Sequence, residues 1–132
     1  MVKVVFEDPK KSKEIKEGMT LVDMHCHTNV SDGRDSAELM IKKAKKLGIG
    51  LSITDHNRIK SSLEACKSTF SIPGIELTSS EAIDILVYFY KPKDLEHFYN
   101  KYIKGQHLNS KFFNLWKLKW ETEELLDHIR KY

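Results

Sequence analysis

The stretch VDMHCHTNVSDG, Val22–Gly33, concentrates histidines and aspartates in one short segment. Successive side chains of a strand point to opposite faces, so His25 and His27 would share a face that excludes Cys26. Two imidazoles on one face can bind one metal ion, and Asp23, on the same face, would orient one ring by a hydrogen bond. Such a pair is also typical of polar strand ends that bind nothing. The segment predicts a metal site only if further ligands come from elsewhere in the chain.

Further candidate ligands follow other apolar runs. Asp32 lies in the turn S-D-G, His56 follows Asp55 in T-D-H-N, and Glu76 lies just beyond Pro73-Gly74. Each is an ordinary turn or loop residue when taken alone. Imidazoles and carboxylates that converge on one rim suit Zn²⁺, Mn²⁺ or Fe²⁺, and a carboxylate such as Glu76 can bridge two ions. Together these residues predict a divalent metal site, with Asp55 as a neighbour that supports a ligand.

The scaffold that would gather these residues alternates strands and helices. Apolar runs bounded by turn residues predict strands in MTLVDMHCHT, IGLSITDHN, FSIPGIELTSS and AIDILVYFY. Helical spacing predicts helices in RDSAELMIKKAKKLG, RIKSSLEACKS, KPKDLEHFYNKYIKG and TEELLDHIRKY. Asp35 or Ser36 would cap the first helix and Gly48 would end it, and Thr122 would cap the last. This order favours an α/β fold with a largely parallel sheet, whose strand ends bring the polar clusters together.

Composition indicates one globular domain over residues 1–132. Hydrophobic residues make up 40% and charged residues 31%, and no apolar run approaches the roughly 20 residues that cross a bilayer. The first residues become charged too soon for a secretory signal, and the two cysteines, Cys26 and Cys66, suit a reducing compartment. We therefore expect a cytoplasmic protein without a membrane anchor or a disulfide framework.

One tract, Lys111–Trp120, interleaves basic and aromatic residues as KFFNLWKLKW. Such a tract could stack on nucleic-acid bases and neutralise phosphates. A net charge of +3 is too small to indicate nucleic-acid binding by itself. The competing interpretation, which we favour, is a core element that buries apolar side chains beneath solvated lysines: Phe113, Leu115, Trp116 and Leu118.

Three segments, DMHCHTNVSDG, SITDHN and PGIELTS, resemble in order and spacing the first three motifs of the PHP superfamily, named for polymerase and histidinol phosphatase domains. The family patterns are close to D-x-H-x-H-S-x-x-S-D-G, I-T-D-H-D or -N, and P-G-I-E, and the resemblance spans Asp23–Ser79. It implies a distorted (β/α)7 barrel that holds two or three divalent ions, Zn, Mn or Fe. It also implies hydrolysis of phosphoesters by a metal-activated water, with Glu76 bridging ions. The matching ligand positions are His25, His27, Asp32, His56 and Glu76.

The chain departs from the family pattern after the third motif. Asp84, in DILVYFY, stands where the family has a ligand histidine, and aspartate can bind the same ions, so Asp84 is a further candidate ligand. The later histidine-proline and D-x-H motifs are absent, and His97, His107 and His128 match no motif. We therefore expect an apparently C-terminally truncated, partial, distorted (β/α)7-barrel-like fold. Its open sheet edge would pair with another chain, which predicts a homo-oligomer.

These features favour hydrolysis of a phosphoester in a small phosphorylated metabolite, a nucleotide or a short oligonucleotide. Three cations near the predicted rim, Arg34, Lys60 and Lys91, could hold the substrate phosphate. Two alternatives stand beside this function. The chain could be a catalytically impaired metal-binding module that acts through oligomerisation or a partner. It could also be a nucleic-acid-binding accessory domain that uses Lys111–Trp120.

Overall fold

A computed structural model describes residues 20–107 and 117–132, which form a mixed α/β fold. The strands in this part of the chain are β1 (Val22–Cys26), β2 (Gly50–Ile53), β3 (Gly74–Thr78) and β4 (Asp84–Tyr88). The helices are α1 (Ala37–Leu47), α2 (Lys60–Ser68), α3 (Pro92–Phe98), which continues as a π-helical turn over Tyr99–Ile103, and α4 (Thr122–Ile129). Their order along the chain is the one predicted from the sequence.

The four strands pair in two small sheets. β1 and β2 are parallel, whereas β3 and β4 form an antiparallel hairpin in which Glu76 lies opposite Leu86 and Thr78 opposite Asp84. The prediction of a largely parallel sheet is therefore wrong for β4. The connection from Thr78 to Asp84 is too short for the crossover that parallel neighbours need, so β4 must fold back along β3.

Single parallel bridges connect the two sheets. Leu51 pairs with Ser71 and His56 with Glu76, so the chain that follows β2 lies beside β3. Within residues 20–107 and 117–132 the strands do not close into a barrel. The carboxyl ends of β1 and β2 and the second half of β3 meet at one edge, and the candidate ligands lie there.

β1 is irregular between Asp23 and Cys26. Asp23 pairs with Leu51 and Cys26 with Ile53, so β1 uses one residue more than β2 over this interval. The strict alternation expected from the sequence is wrong here, and Asp23 and Cys26 line the same small cavity beside α1. Asp23 accepts a hydrogen bond from the backbone N–H of His25 at 3.2 Å and not, as predicted, from an imidazole ring.

The helix termini are set by local chemistry. The Ser36 hydroxyl accepts a hydrogen bond from the N–H of Leu39 at the start of α1, and Gly48, with φ 68°, ends the helix as predicted. The predicted cap of α4, Thr122, is wrong: Glu121 caps the helix through a reciprocal capping box with Glu124. The Thr122 hydroxyl is engaged elsewhere, because it bonds the Ser79 hydroxyl at 3.0 Å.

The larger hydrophobic core packs α3 and α4 against the β3–β4 hairpin, with Phe98 and Leu125 fully buried. Of the aromatic tract, only the end is described. Leu118 is fully buried and the Trp120 indole donates to the Tyr102 carbonyl at 2.8 Å, which agrees with the core interpretation for these residues. Phe113, Leu115 and Trp116 lie outside the described residues. None of the helices in the described ranges combines the length and apolar character that crossing a membrane requires.

Candidate metal centre

Three candidate ligands from β1, its following loop and β3 place their donor atoms in a tight triangle. Nε2 of His25 lies 3.1 Å from Nε2 of His27 and 3.2 Å from Oε2 of Glu76, and Nε2 of His27 lies 2.7 Å from the same oxygen. A tetrahedral ion with bonds of about 2.0–2.1 Å has neighbouring ligand atoms roughly 3.3 Å apart. Two imidazoles and a carboxylate at these separations therefore fit a divalent ion.

Asp32 and His56 add a second group beside the first. The donor atoms of His27, Asp32 and His56 lie within 4.8 Å of one another. Nε2 of His56 is 3.6 Å from Oδ2 of Asp32 and 3.6 Å from Oε2 of Glu76. Glu76 is buried and faces both groups, so it is the carboxylate that two ions could share.

The second ring nitrogen of His27 is hydrogen-bonded to Asp32. Its Nδ1 lies 2.5 Å from Oδ1 of Asp32. This hydrogen bond is the main cause that holds the pKa of Asp32 below its usual value. The charges of His27 and His56 act in the same direction, and partial burial opposes them. An ionised Asp32 is suited both to orient the His27 ring and to bind a cation.

The turn after β2 aims His56 at this cluster. Asn57 is fully buried and has φ 50°, a left-handed conformation that asparagine tolerates better than most residues. Its N–H donates to the Glu76 carbonyl at 2.8 Å, and its Oδ1 accepts from the N–H of Thr78 at 3.2 Å. Both bonds tie the turn to β3, which places His56 beside Glu76.

The loop that carries Asp32 is held by a buried carboxylate. Asp55, with 1% of its surface exposed, accepts hydrogen bonds at 2.7 Å from the N–H of Thr28, the hydroxyl of Thr28 and the hydroxyl of Ser31. The loop is also tight at Gly33, where a Cβ would come 2.2 Å from the His27 carbonyl oxygen. Asp55 therefore connects the loop after β1 to the end of β2.

Asp84, the candidate ligand from the start of β4, lies on the Nδ1 side of the His56 ring, whereas Asp32 and Glu76 lie nearer Nε2. Its Oδ1 is 4.0 Å from Nδ1 of His56, and it accepts a hydrogen bond from the Thr78 hydroxyl at 2.7 Å. The hydroxyl of Thr78 is in turn 3.1 Å from Nδ1 of His56. The donor atoms of His56, Glu76 and Asp84 lie within 4.8 Å of one another and form a third group that could hold an ion.

The model of the PHP domain family matches residues 23–113 of this chain. The chain belongs to the PHP domain family. A search of the curated proteins found no match. Among solved structures, the PHP domain is similar to a protein of Bifidobacterium adolescentis that is provisionally assigned as a metal-dependent phosphoesterase, with 27% identity and a TM-score of 0.47. The match covers 61% of this chain and 32% of that protein, so the chain spans about a third of its length.

Cys26 lies between the two histidines of the PHP domain without joining the donor groups. Its thiol points to the Ser52 carbonyl oxygen at 3.2 Å. Burial, with the nearby carboxylates of Asp23 and Asp55, raises the pKa of the Cys26 thiol to about 12. The thiol thus contacts a backbone carbonyl, and Cys26 is not a member of the three donor groups found among the described residues.

The predicted phosphate-binding cations of the PHP domain do not share one place. Arg34 is exposed in the loop after β1. Lys60, the first residue of α2, is exposed at a groove that it lines with Asn29 of that loop. Lys91 lies beyond the end of β4, and because β4 is antiparallel this is the end of the hairpin away from Thr78 and Asp84, so the predicted rim position of Lys91 is wrong.

Sequence reasoning missed Thr78 and Arg58. Thr78 is two residues beyond Glu76 on the same strand face, and this period of two was the available signal. Arg58 follows the T-D-H-N segment and donates to Nε2 of His107 at 2.9 Å. Burial, followed by the charge of Arg58, lowers the pKa of His107 below its usual value, so His107 accepts this bond as a neutral ring.

Proposed function

We propose that this PHP domain hydrolyses a phosphoester with divalent ions held by His25, His27, Asp32, His56 and Glu76. The observation that carries the proposal is the triangle of His25, His27 and Glu76, whose donor atoms lie 2.7–3.2 Å apart. Membership of the PHP domain family supports the same chemistry. Imidazole and carboxylate donors suit Zn²⁺, Mn²⁺ and Fe²⁺, and two or three such ions are proposed.

Divalent ions, when bound, activate a water for attack on phosphorus and neutralise charge on the phosphate oxygens. The side chains of the chain would hold the ions and orient the rings that bind them. Glu76 would be the carboxylate shared between ions, because its Oε2 lies within 3.6 Å of a ring nitrogen of each of three histidines. Asp32 holds the His27 ring through Nδ1, so that Nε2 faces Glu76.

The proposed substrate is a small phosphorylated metabolite, a nucleotide or a short oligonucleotide. The side chains of His25 and Asp32 keep 50% and 54% of their surface exposed, whereas that of Glu76 keeps 8%. The cluster is thus buried on one side and open to solvent on the other. Arg34 and Lys60, on and beside the loop that carries Asp32, are the proposed contacts to the substrate phosphate, and they favour an anionic ligand.

Two finer features belong to the same proposal. We infer that the two sheets form part of a distorted (β/α)7 barrel, because the bridge from His56 to Glu76 extends the parallel pairing of β1 and β2 toward β3. A cytoplasmic location is also proposed, because Cys26 and Cys66 are free thiols, as cysteines are in reducing compartments.

The first test measures metal content and turnover together. Protein purified without a chelator or a metal-affinity tag is expected to hold two or more divalent ions per chain by elemental mass spectrometry. It should also release p-nitrophenol from bis(p-nitrophenyl) phosphate. His27→Ala and Glu76→Gln should each lower turnover by more than about 100-fold, since loss of partners outside the ligand set already costs about 10–100-fold.

His97→Ala is the matched control, because His97 is exposed on α3 and its ring bonds the Tyr132 hydroxyl. This variant should keep its ions and its turnover. Tightly bound ions without turnover in the unchanged chain would contradict the proposed hydrolysis and favour the metal-binding module. Absence of bound ions would contradict the metal centre itself.

A further inference from the structure

The hydroxyl of Thr78 lies between the imidazole of His56 and the carboxylate of Asp84. Its Oγ1 is 3.1 Å from Nδ1 of His56 and 2.7 Å from Oδ1 of Asp84. An ionised carboxylate can only accept, so the one hydroxyl proton of Thr78 goes to Asp84. Oγ1 must then accept from His56, which requires a proton on Nδ1. The three groups therefore donate in one direction, from His56 through Thr78 to Asp84.

A neutral His56 ring that carries its proton on Nδ1 has an unprotonated Nε2, which can only accept a hydrogen bond or bind a metal ion. This is the atom that lies 3.6 Å from Oδ2 of Asp32 and 3.6 Å from Oε2 of Glu76. An unprotonated ring nitrogen can bind a cation, and the two carboxylate oxygens beside it are further donors to the same ion. The hydrogen bonds on the Nδ1 side therefore prepare the opposite side of the ring for an ion.

We infer that Asp84 and Thr78 are positioning residues that fix the tautomer and orientation of His56, and that Asp84 does not bind the ion held by His56. The atom of His56 that Asp84 approaches is Nδ1, at 4.0 Å, and the Thr78 hydroxyl connects the two at shorter distances. Thr78 is buried, whereas Asp84 keeps 50% of its side-chain surface exposed at the outer end of the connection. This inference rests on the proposed metal centre, and it assigns a different role to the residue that was a candidate sixth ligand.

The first experiment replaces the hydroxyl of Thr78 in the full chain. Thr78→Val keeps the shape of the side chain and removes both hydrogen bonds, whereas Thr78→Ser keeps the hydroxyl. In calorimetric titrations with Zn²⁺ alone, Thr78→Val should bind about 10–100-fold more weakly with unchanged stoichiometry, and Thr78→Ser should stay within a few-fold of the unchanged chain. Equal affinities of Thr78→Val and the unchanged chain would overturn the inference.

Thr54→Val is the matched control for this substitution. Thr54 is also fully buried, and its hydroxyl has no hydrogen-bond partner among the residues that the structure describes. Removing that hydroxyl should leave the affinity for Zn²⁺ unchanged. A loss as large as that of Thr78→Val would mean that any buried change weakens the site, which would overturn the assigned role.

The second experiment separates a positioning role of Asp84 from a ligand role. Asp84→Asn keeps an oxygen that accepts from Thr78, so positioning predicts a small effect on Zn²⁺ affinity. Asp84→Ala leaves the Thr78 proton free to turn toward Nδ1, which predicts a loss similar to that of Thr78→Val. The double variant Thr78→Val with Asp84→Ala should lose no more than Thr78→Val alone. Additive losses, or one ion fewer per chain, would show that Asp84 is a ligand.

The tautomer of His56 can be read directly from the ¹⁵N shifts of its ring in the metal-free chain. Where the ¹⁵N shifts show a neutral ring, we expect a proton on Nδ1 and none on Nε2. Thr78→Val should give a mixture of both tautomers. A proton on Nε2 in the unchanged chain would overturn the inference. This readout needs no bound ion, so it still decides the inference if the unchanged chain proves not to bind Zn²⁺ and the proposed function fails.

Discussion

The positions of the candidate ligands depend on hydrogen bonds made by neighbouring residues that are not themselves candidate ligands. Asp55 is a buried carboxylate whose described partners are all uncharged donors, from Thr28 and Ser31. Hydrogen bonds to a charged group contribute about 1.5–3 kcal/mol each, and a buried carboxylate that loses a donor is left partly desolvated. The position of Asp32 in its loop therefore depends on Thr28 as well as on its own contacts.

Thr28→Val is expected to lower the free energy of unfolding by about 1–3 kcal/mol, because it removes the hydroxyl that donates to Oδ2 of Asp55. Thr28→Ser keeps this donor and should lose less than about 1 kcal/mol. Urea unfolding followed by circular dichroism measures both, with Thr54→Val as the control for a buried threonine. Equal losses for the valine and serine variants would contradict a role of the hydroxyl.

At the scale of elements, the turn after β2 shows how the backbone aims a side chain. Asn57 combines a left-handed φ of 50° with an amide oxygen that accepts from the N–H of Thr78. A left-handed conformation costs an ordinary residue roughly 1–2 kcal/mol, and glycine adopts it freely. The residue type at position 57 is therefore set by conformation and by hydrogen bonding at the same time.

Substitutions at Asn57 separate these two contributions. Asn57→Gly removes the amide but tolerates the backbone, whereas Asn57→Ala removes the amide and also strains the backbone. Both should destabilise the chain, and the alanine variant should unfold with a free energy lower by about 1 kcal/mol than the glycine variant. Urea unfolding measures the difference. An alanine variant as stable as the glycine variant would mean that the turn relaxes to another conformation.

The elements were predictable where local pattern decides them, and less so where tertiary contacts decide. The cap of α1 at Ser36 and its end at Gly48 follow from side-chain chemistry within one turn. The direction of β4 was available from the short connection between Thr78 and Asp84, which forces a hairpin. The extra residue in β1, which moves Asp23 away from the histidine face, follows from pairing with β2 and leaves no signal in the sequence.

The site, too, was predictable from the sequence where residue type decides a role, and not where tertiary contacts decide it. Residue type and the resemblance to a known family indicated His25, His27 and Glu76, and the structure brings their donor atoms together. Glu76 shares no sequence periodicity with the two histidines, since it comes from a different strand. The role of Thr78 required the distances to His56 and Asp84, because a threonine in a strand is unremarkable by type. Long-range packing therefore supplied what composition and spacing did not.

At the scale of the whole molecule, one edge of β1 has no neighbouring strand among the described residues. β1 pairs with β2 on one side only, and Leu21 and Met24 expose 55% and 37% of their surface. A strand edge without a neighbouring strand, with exposed apolar side chains beside it, readily pairs with another strand. We propose that two copies of the chain associate through this edge, as the sequence led us to expect.

Analytical ultracentrifugation at tens of micromolar tests this association. The unchanged chain should sediment as a dimer, and Met24→Lys should shift it toward the monomer, because a charge on an edge strand opposes pairing. Leu126→Lys is the matched control, since Leu126 on α4 is also 37% exposed. An unchanged chain that sediments as a monomer, or equal effects of both lysines, would contradict the proposed interface.

The cluster joins parts of the chain that are remote in sequence, since His25 and Glu76 are 51 residues apart. Ions held there as proposed bind the folded chain and not the unfolded one, and free ion at 100 times its Kd would add about 2.7 kcal/mol to the free energy of unfolding. That increment is a large part of the stability of a small domain. The metal supply of the cell would then control how much of the chain escapes degradation, and scarcity of the ion would remove the protein as well as its activity.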